Sequence, residues 1–355
     1  MSDIIEVSYT GDLLAHRRCP RSWAYEKHVG LHPYEQVQAM EGHLVHHSME
    51  WLTIQYRRHA ADGAPRHATR AELTTQLDRY SKVLHSRGIR TRFASKAEVL
   101  ERVAHNLYVK GTDEPKPEVK AAVEGALHEE YELRTVRKLI RAGTDGEPIL
   151  GEGDRKKKVL LTGILDVVVQ QQSDFTYHRT WRWTNKRTLE GEPVPDTVVA
   201  RRNDLEIWDY KGVRADSRYQ EDYVRQVVTY TALLEERMRR PDRCVLFFTN
   251  EPRAEKRLLV IPIDDEVVAA SMEWTLEQVG ELRKTELLMQ RDPLAVEAGD
   301  IRRRGLPLGE RITKELKQQC TTCGQRFDCP SYAANLGSTA GDPHPDVDLM
   351  NVHKN

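Results

Sequence analysis

An aspartate interrupts an otherwise apolar run, Val159-Leu160-Leu161-Thr162-Gly163-Ile164-Leu165-Asp166-Val167-Val168-Val169. A second aspartate and a lysine close the next such run, Leu205-Glu206-Ile207-Trp208-Asp209-Tyr210-Lys211. A carboxylate in an apolar strand needs a partner, and a divalent cation held on oxygen is an apt one. The Asp-x-Lys triplet says little by itself in a chain with 55 acidic residues. Its place at the end of an apolar strand, downstream of another strand aspartate, is what raises it. Gln226 and Tyr230 stand at i and i+4 on the helix that follows, as do His46 and Glu50 on an early helix that also carries Gly42. Each set therefore shares one helix face.

A second constellation is made of cysteines. Cys320-Thr321-Thr322-Cys323 followed by Cys329-Pro330 gathers three thiols in one loop, and short spacers let backbone turns aim several sulfurs at one centre. Five cysteines in 355 residues are too few for a disulfide scaffold. Cys19 is the best candidate for a fourth ligand, since Cys244 adjoins a buried-type strand and reads as a small core residue. A four-cysteine zinc site and three unrelated thiols are the competing readings. Three close ligands, the last followed by proline, with one distant cysteine, favour a 4Fe-4S cluster. Closing so long a loop would hold the two ends of the chain together by roughly 5 to 6 kcal/mol.

The elements that must position these residues follow from periodicity. Residues 8–30 read as the start of a helix, and a second helix covers about 36–60. Thr69-Arg70-Ala71-Glu72 and Ser95-Lys96-Ala97-Glu98 are capping boxes, each opening a helix. Strand signals begin near residue 125 and return at 159–169, 205–211, 245–248 and 258–261. A helix over about 217–239 precedes the last two, and another follows them. Between two of the strands, residues 172–203 contain Arg179-Thr180-Trp181-Arg182-Trp183. This alternation suits base stacking with phosphate contacts, and equally a hairpin packing its tryptophans on its own sheet. The order of elements predicts one mixed α/β sheet domain and no repeat array.

Composition bounds the function. The 54 basic and 55 acidic residues give a net charge of -1, which excludes a uniformly basic nucleic-acid binder. A polyanion site must be a local patch, for which Arg155-Lys156-Lys157-Lys158, Arg201-Arg202 and Arg302-Arg303-Arg304 are candidates. No apolar run approaches the roughly 18 residues of a membrane span, and the first residues lack the pattern of a signal peptide. A cytoplasmic protein is expected. No Gly-rich dinucleotide loop follows a strand and no second cysteine group offers an electron path, so an iron-sulfur redox protein is a weak rival.

Taken in order, Cys19-Pro20-Arg21-x-Trp23, Gly42-x3-His46-x3-Glu50, Gly163-Ile164-Leu165-Asp166, Asp209-Tyr210-Lys211, Gln226-x3-Tyr230 and Cys320-x2-Cys323-x5-Cys329-Pro330 resemble the PD-(D/E)xK nuclease superfamily. The resemblance is to its iron-sulfur branch, which includes CRISPR-associated exonucleases and AddB-type and RecB-like nuclease domains. It implies an α/β fold: a restriction-endonuclease-like mixed sheet core with flanking helices, a helical insertion and a C-terminal iron-sulfur region. The expected division is 1–60 for N-terminal helices with Cys19 and His46, and 61–118 for the insertion. It continues with 119–290 for the nuclease core including the 172–203 excursion, 291–335 for the iron-sulfur region and 336–355 for a disordered tail.

The same resemblance implies a metal-dependent DNA nuclease, an exonuclease acting on single-stranded DNA or DNA ends. His46, Asp166, Asp209 and the Tyr210 carbonyl would hold Mg2+ or Mn2+. Lys211 would orient or help deprotonate the attacking water, while Gln226 and Tyr230 would position substrate or support the lysine. Cys19, Cys320, Cys323 and Cys329 would carry a structural 4Fe-4S cluster, and Glu50 would support the metal ligands from behind. DNA is the implied partner, beside a helicase or a CRISPR integrase, in DNA repair or adaptation. The alternative is a non-catalytic nucleic-acid-binding subunit of a helicase-nuclease or CRISPR adaptation complex. The chain departs from the compact family pattern at 61–118 and 172–203.

Overall fold

The computed structural model describes residues 4–29, 39–87, 89, 95–138, 158–217, 219–235 and 238–291. The chain divides into two units, one of Met1–Leu14 with Glu35–Glu281 and one of Ala15–Tyr34 with Leu282–Asn355. The first opens with a strand, β1 (Ile4–Ser8), and a π-helical turn at Tyr9–Leu14. The second begins with α1 (Ala15–Arg18), α2 (Pro20–Ala24) and another π-helical turn at Tyr25–Val29. Residues 8–30 therefore do not simply start a helix. Five residues of β1 pair with strand residues some 150 positions later, a contact that leaves no local periodicity to read.

The first unit continues with α3 (Ala39–Ala61), α4 (Arg70–Ser86), α5 (Lys96–Leu107) and α6 (Pro117–Gly125). Both capping boxes form. The Thr69 hydroxyl accepts from the Glu72 amide at 3.2 Å while the Glu72 carboxylate accepts from the Thr69 amide at 2.7 Å. Ser95 and Glu98 repeat the exchange at 3.2 and 2.6 Å. Each pair satisfies two amides that a helix start leaves without partners.

Next come β2 (Ala126–Lys138), β3 (Lys158–Gln170), β4 (Phe175–Asn185), β5 (Glu190–Ala200), β6 (Leu205–Lys211), α7 (Gln220–Leu234), β7 (Arg243–Phe248), α8 (Ala254–Arg257), β8 (Leu258–Pro262) and α9 (Asp265–Arg291). Among the described residues, eight strands form one mixed sheet ordered β1-β3-β6-β7-β8-β4-β5, with β2 also on β3. β6 runs antiparallel to β3 and parallel to β7, and β7 is antiparallel to β8. The 172–203 excursion is the β4–β5 hairpin at the far edge, joined to β8 by a parallel contact at Thr180. Its outer strand carries Pro193 and Pro195, which cannot donate to a further strand and so protect the edge.

Alternation along the central strands divides the side chains between two helical layers. Val167, Val169, Trp208, Tyr210, Val245, Phe247 and Val260 share one core with Leu44 of α3, Leu73 and Leu77 of α4 and Val103 and Leu107 of α5. The 61–118 segment is thus packed into the same core as the sheet. On the other face, Cys244 donates its S–H to the Val227 carbonyl at 3.4 Å, and Thr229 of α7 meets Thr275 of α9 at 3.3 Å. The result is a mixed α/β fold with helices on both faces of the sheet. No described helix is long and apolar enough to cross a membrane.

The Glu206 side chain is fully buried in this core. The Glu206 carboxylate accepts from Tyr177 OH at 2.6 Å and from Gln171 Nε2 and Trp208 Nε1, each at 2.7 Å, while Arg243 Nη1 stands 3.2 Å from its other oxygen. Deleting it would take the acceptor from the buried Tyr177 hydroxyl and Trp208 N–H and one partner each from Gln171 and Arg243. Glu206→Ala is expected to lower the unfolding free energy by about 3 to 5 kcal/mol in denaturant titrations. A loss below about 1 kcal/mol would show that the network does not hold the sheet.

Candidate active site

β2 lies along nearly the whole of one edge of β3, from Lys158 to Val169, so β1 and β6 must share the opposite edge. β1 takes Lys158 to Thr162 and β6 takes Val167 to Gln170. Gly163 to Asp166 fall between the two ladders. There the Asp166 side chain does what a strand would: its Oδ2 accepts the Tyr210 amide at 2.6 Å. The interruption brings Asp166 beside Asp209, on the first residue pair beyond the β3–β6 ladder.

Each carboxylate faces a basic side chain. His46 Nδ1, from α3, lies 2.9 Å from Asp166 Oδ1, and Lys211 Nζ lies 2.7 Å from Asp209 Oδ2. The Asp209 and Lys211 side chains are 5% and 12% exposed, so water screens this pair little. Burial pushes the Asp209 carboxyl up to about 7, with Lys211 opposing and Asp166 adding to the rise. Burial acts the same way on Asp166, but the His46 charge and hydrogen bond outweigh it and hold that carboxyl below its usual range. For Lys211, burial favours losing the proton, and the two aspartates outweigh it, so the amine is held charged. His46 is likewise raised, its burial overcome by Asp166.

A chain of hydrogen bonds runs outward from the amine. Lys211 Nζ donates to Gln226 Oε1 at 3.1 Å, Gln226 Nε2 donates to Tyr230 OH at 3.1 Å, and Tyr230 OH stands 3.5 Å from the Thr10 hydroxyl. Gly163 makes room for this chain, because a Cβ built there would lie 2.4 Å from the Tyr230 ring. The Tyr223 ring, one turn before Gln226 on α7, has its centroid 4.7 Å from Lys211 Nζ, close enough for cation–π attraction. Thr10 and Tyr223 escaped the sequence reading. Tyr223 stands three residues before Gln226 on the same helix, a spacing that could have flagged it; nothing local marks Thr10.

His46, Asp166, Asp209, Tyr210, Lys211, Gln226 and Tyr230 are therefore gathered at the interrupted edge of β3. Glu50 joins His46, Met49, Asp166 and Tyr210 around one cleft, with its carboxylate 3.8 Å from His47 Nδ1. An imidazole, two carboxylates and a strand-end carbonyl form a mixed nitrogen and oxygen donor set that suits Mg2+ or Mn2+. Among the described residues, no three His, Cys, Asp or Glu side chains surround one point. The two carboxylates here are paired with basic side chains of the protein itself, His46 on Asp166 and Lys211 on Asp209. The donor chemistry fits a divalent ion, which would take over the neutralisation that His46 gives Asp166.

The other sequence candidates are placed as follows. In the hairpin, Trp181 is 2% exposed and packs edge-on to Trp183, whose Nε1 donates to the Pro262 carbonyl at 3.0 Å. Arg182 is exposed and paired with Glu192, and Arg179 is half-buried. Here the hairpin packs the Trp181 ring on its own sheet, with its faces covered by protein. Arg201 is paired with Asp174 at 2.9 Å. In the second unit, Cys19 lies between α1 and α2, and its sulfur accepts the Ser22 amide at 3.4 Å. Cys320, Cys323, Cys329, Arg155 to Lys157 and Arg302 to Arg304 lie outside the described residues.

The charge states make metal binding sensitive to pH. Below about 7 the Asp209 carboxyl carries a proton, which an ion must displace, and the raised His46 adds to the same requirement. Mn2+ affinity measured by calorimetry should rise by up to about tenfold per pH unit on approaching neutrality, with proton release, and level off above. Affinity that does not change with pH would show that Asp209 is no ligand.

Two comparisons bear on this site. The family model of the PD-(D/E)XK nuclease superfamily matches residues 11–183, a span that takes in His46 and Asp166 and ends before Asp209 and Lys211. No curated protein matches the chain. The chain is thus similar to PD-(D/E)XK nucleases, which typically use Mg2+ or Mn2+, over the part that supplies the first two of these side chains.

Proposed function

We propose that the protein is a metal-dependent nuclease that hydrolyses phosphodiester bonds of DNA, taking single strands or DNA ends. The carrying observation is the meeting of His46, Asp166, Asp209 and Lys211 where the β3 edge is interrupted. When bound there, a divalent ion supplies an activated water and neutralises a phosphate oxygen. The protein's own groups do the rest. Asp166 is fixed by the Tyr210 amide and so presents a set oxygen toward His46. Lys211 is anchored by Asp209 and Gln226, which leaves a charged ammonium to face a non-bridging phosphate oxygen and offset the charge that grows there during attack. Because its amine is held protonated, Lys211 acts by orientation and charge, and not as the base. Gln226 and Tyr230 keep that ammonium in place.

In the second unit, Cys19 with Cys320, Cys323 and Cys329 would hold a 4Fe-4S cluster, a reading supported by the spacing and by the Ser22 amide donated to the Cys19 sulfur. Hydrogen bonds of this kind stabilise thiolate ligands and tune clusters. DNA is the partner this reading requires, and a helicase or CRISPR integrase is one it accommodates.

The test is to express Asp166→Ala, Asp209→Ala and Lys211→Ala. Each should cut labelled DNA at least about a thousandfold more slowly than wild type while keeping its helical content by circular dichroism. Wild-type rates in any of the three would sink the assignment. Protein purified without air should be brown with about four irons per chain; a colourless, zinc-bearing protein would remove the cluster from the reading.

A further inference from the structure

The segment 61–118 lengthens the chain, and its described residues supply no group to the site. Yet its helix α5 reaches the site through one asparagine. Asn250 follows β7, and its side-chain amide is used by three segments at once. Its Nδ2 donates to the Gly212 carbonyl and to Glu41 Oε1, both at 2.8 Å, and its Oδ1 accepts from Asn106 Nδ2 of α5. Glu41 is gripped in turn by Arg102 of α5, Nε to Oε1 at 3.0 Å and Nη2 to Oε2 at 3.2 Å, a two-pronged geometry that fixes orientation as well as distance.

The two segments so joined are those that carry the chemistry. Gly212 directly follows Lys211, and Glu41 lies in the first turn of α3, five residues before His46. Their backbones nearly touch, since a Cβ at Gly212 would stand 3.5 Å from the Gly42 Cα. The neighbouring Thr249 amide also donates to the Lys211 carbonyl, at 3.0 Å. Asn250 therefore sets the spacing between the His46 helix and the strand end bearing Asp209 and Lys211, with α5 holding it from outside.

We infer that Asn250 is a positioning residue for the divalent-ion site, and that the helical insertion acts on the chemistry through Arg102 and Asn106. The inference rests on the reading of His46, Asp166 and Asp209 as ion ligands. Loss of a group that orients metal ligands from behind typically weakens metal binding by about 10- to 100-fold. Groups acting through one network are also expected to be non-additive.

The experiment uses the full chain and the variants Asn250→Ala, Arg102→Ala and the double variant. Mn2+ binding is read by calorimetry and by electron paramagnetic resonance without nucleic acid, beside kcat and KM on labelled DNA and the unfolding midpoint. Asn250→Ala should weaken Mn2+ binding about tenfold, lower kcat with KM little changed, and recover kcat at saturating Mn2+. Arg102→Ala, on an exposed side chain, should move the same readouts less, and the double variant should add little to Asn250→Ala. Wild-type Mn2+ affinity and kcat in both single variants, whatever the midpoint does, would overturn the inference. Should Asn250→Ala fail to fold, Arg102→Ala decides the outcome by the same readouts. A wild-type chain that binds Mn2+ and cuts no DNA would remove the nuclease reading and leave this one open to the binding measurement.

Discussion

A carboxylate taken out of water must be met by donors or by charge, and Asp166 is met by both. The gap between the β1 and β6 ladders puts it where a strand backbone would otherwise pair with β3, so its oxygen takes the Tyr210 amide in place of that ladder bond. The rest of the site follows from this placement. A second carboxylate comes within reach at Asp209, two buried carboxylates then demand basic partners, and His46 of α3 and Lys211 at the end of β6 provide them. Neither anion is stable alone at that depth. His46 holds the Asp166 carboxyl low, while burial, with Asp166 close by, drives Asp209 toward neutrality against the pull of Lys211.

The layers have different duties. α7 lies on one face of the sheet and carries the residues that hold the lysine. α3 lies on the other and carries His46, and α4 and α5 pack over it in a core that also contains Val167 and Tyr210, next to the site in sequence. Shared packing of this kind makes an added segment part of the scaffold, since shifting it would disturb the strands that carry Asp166 and Asp209. Rigid support is what a site built on strand ends needs, because small displacements of reacting groups lower rates steeply.

Much of the site was legible in the sequence because its residues break local patterns. Asp166 stands out in a run of aliphatic side chains, Lys211 ends a buried strand, and Gln226 and Tyr230 keep helical spacing. The capping boxes at Thr69 and Ser95 were readable for the same reason, being complete within four residues. What could not be read depends on distance along the chain. β1 exists because of β3, and the role of Thr10 depends on Tyr230 of a helix 220 residues away. The network of Glu41, Arg102, Asn106, Asn250 and the Gly212 carbonyl joins ordinary residues from four segments, none of them marked by type or spacing. At 175–200 the aromatic and basic alternation suits a nucleic-acid surface and a hairpin packed on its own sheet equally, and the sequence does not choose between them; burial of Trp181 comes from the sheet beside it.

The central claim is that this cluster cuts nucleic acid with a divalent ion. Its most direct test is to incubate the purified full chain with end-labelled single- and double-stranded DNA in Mg2+, Mn2+ or EDTA and to resolve the products by length. The account predicts strand cleavage with either ion that EDTA abolishes. Intact DNA under every condition, from a folded protein that has bound Mn2+, would contradict it.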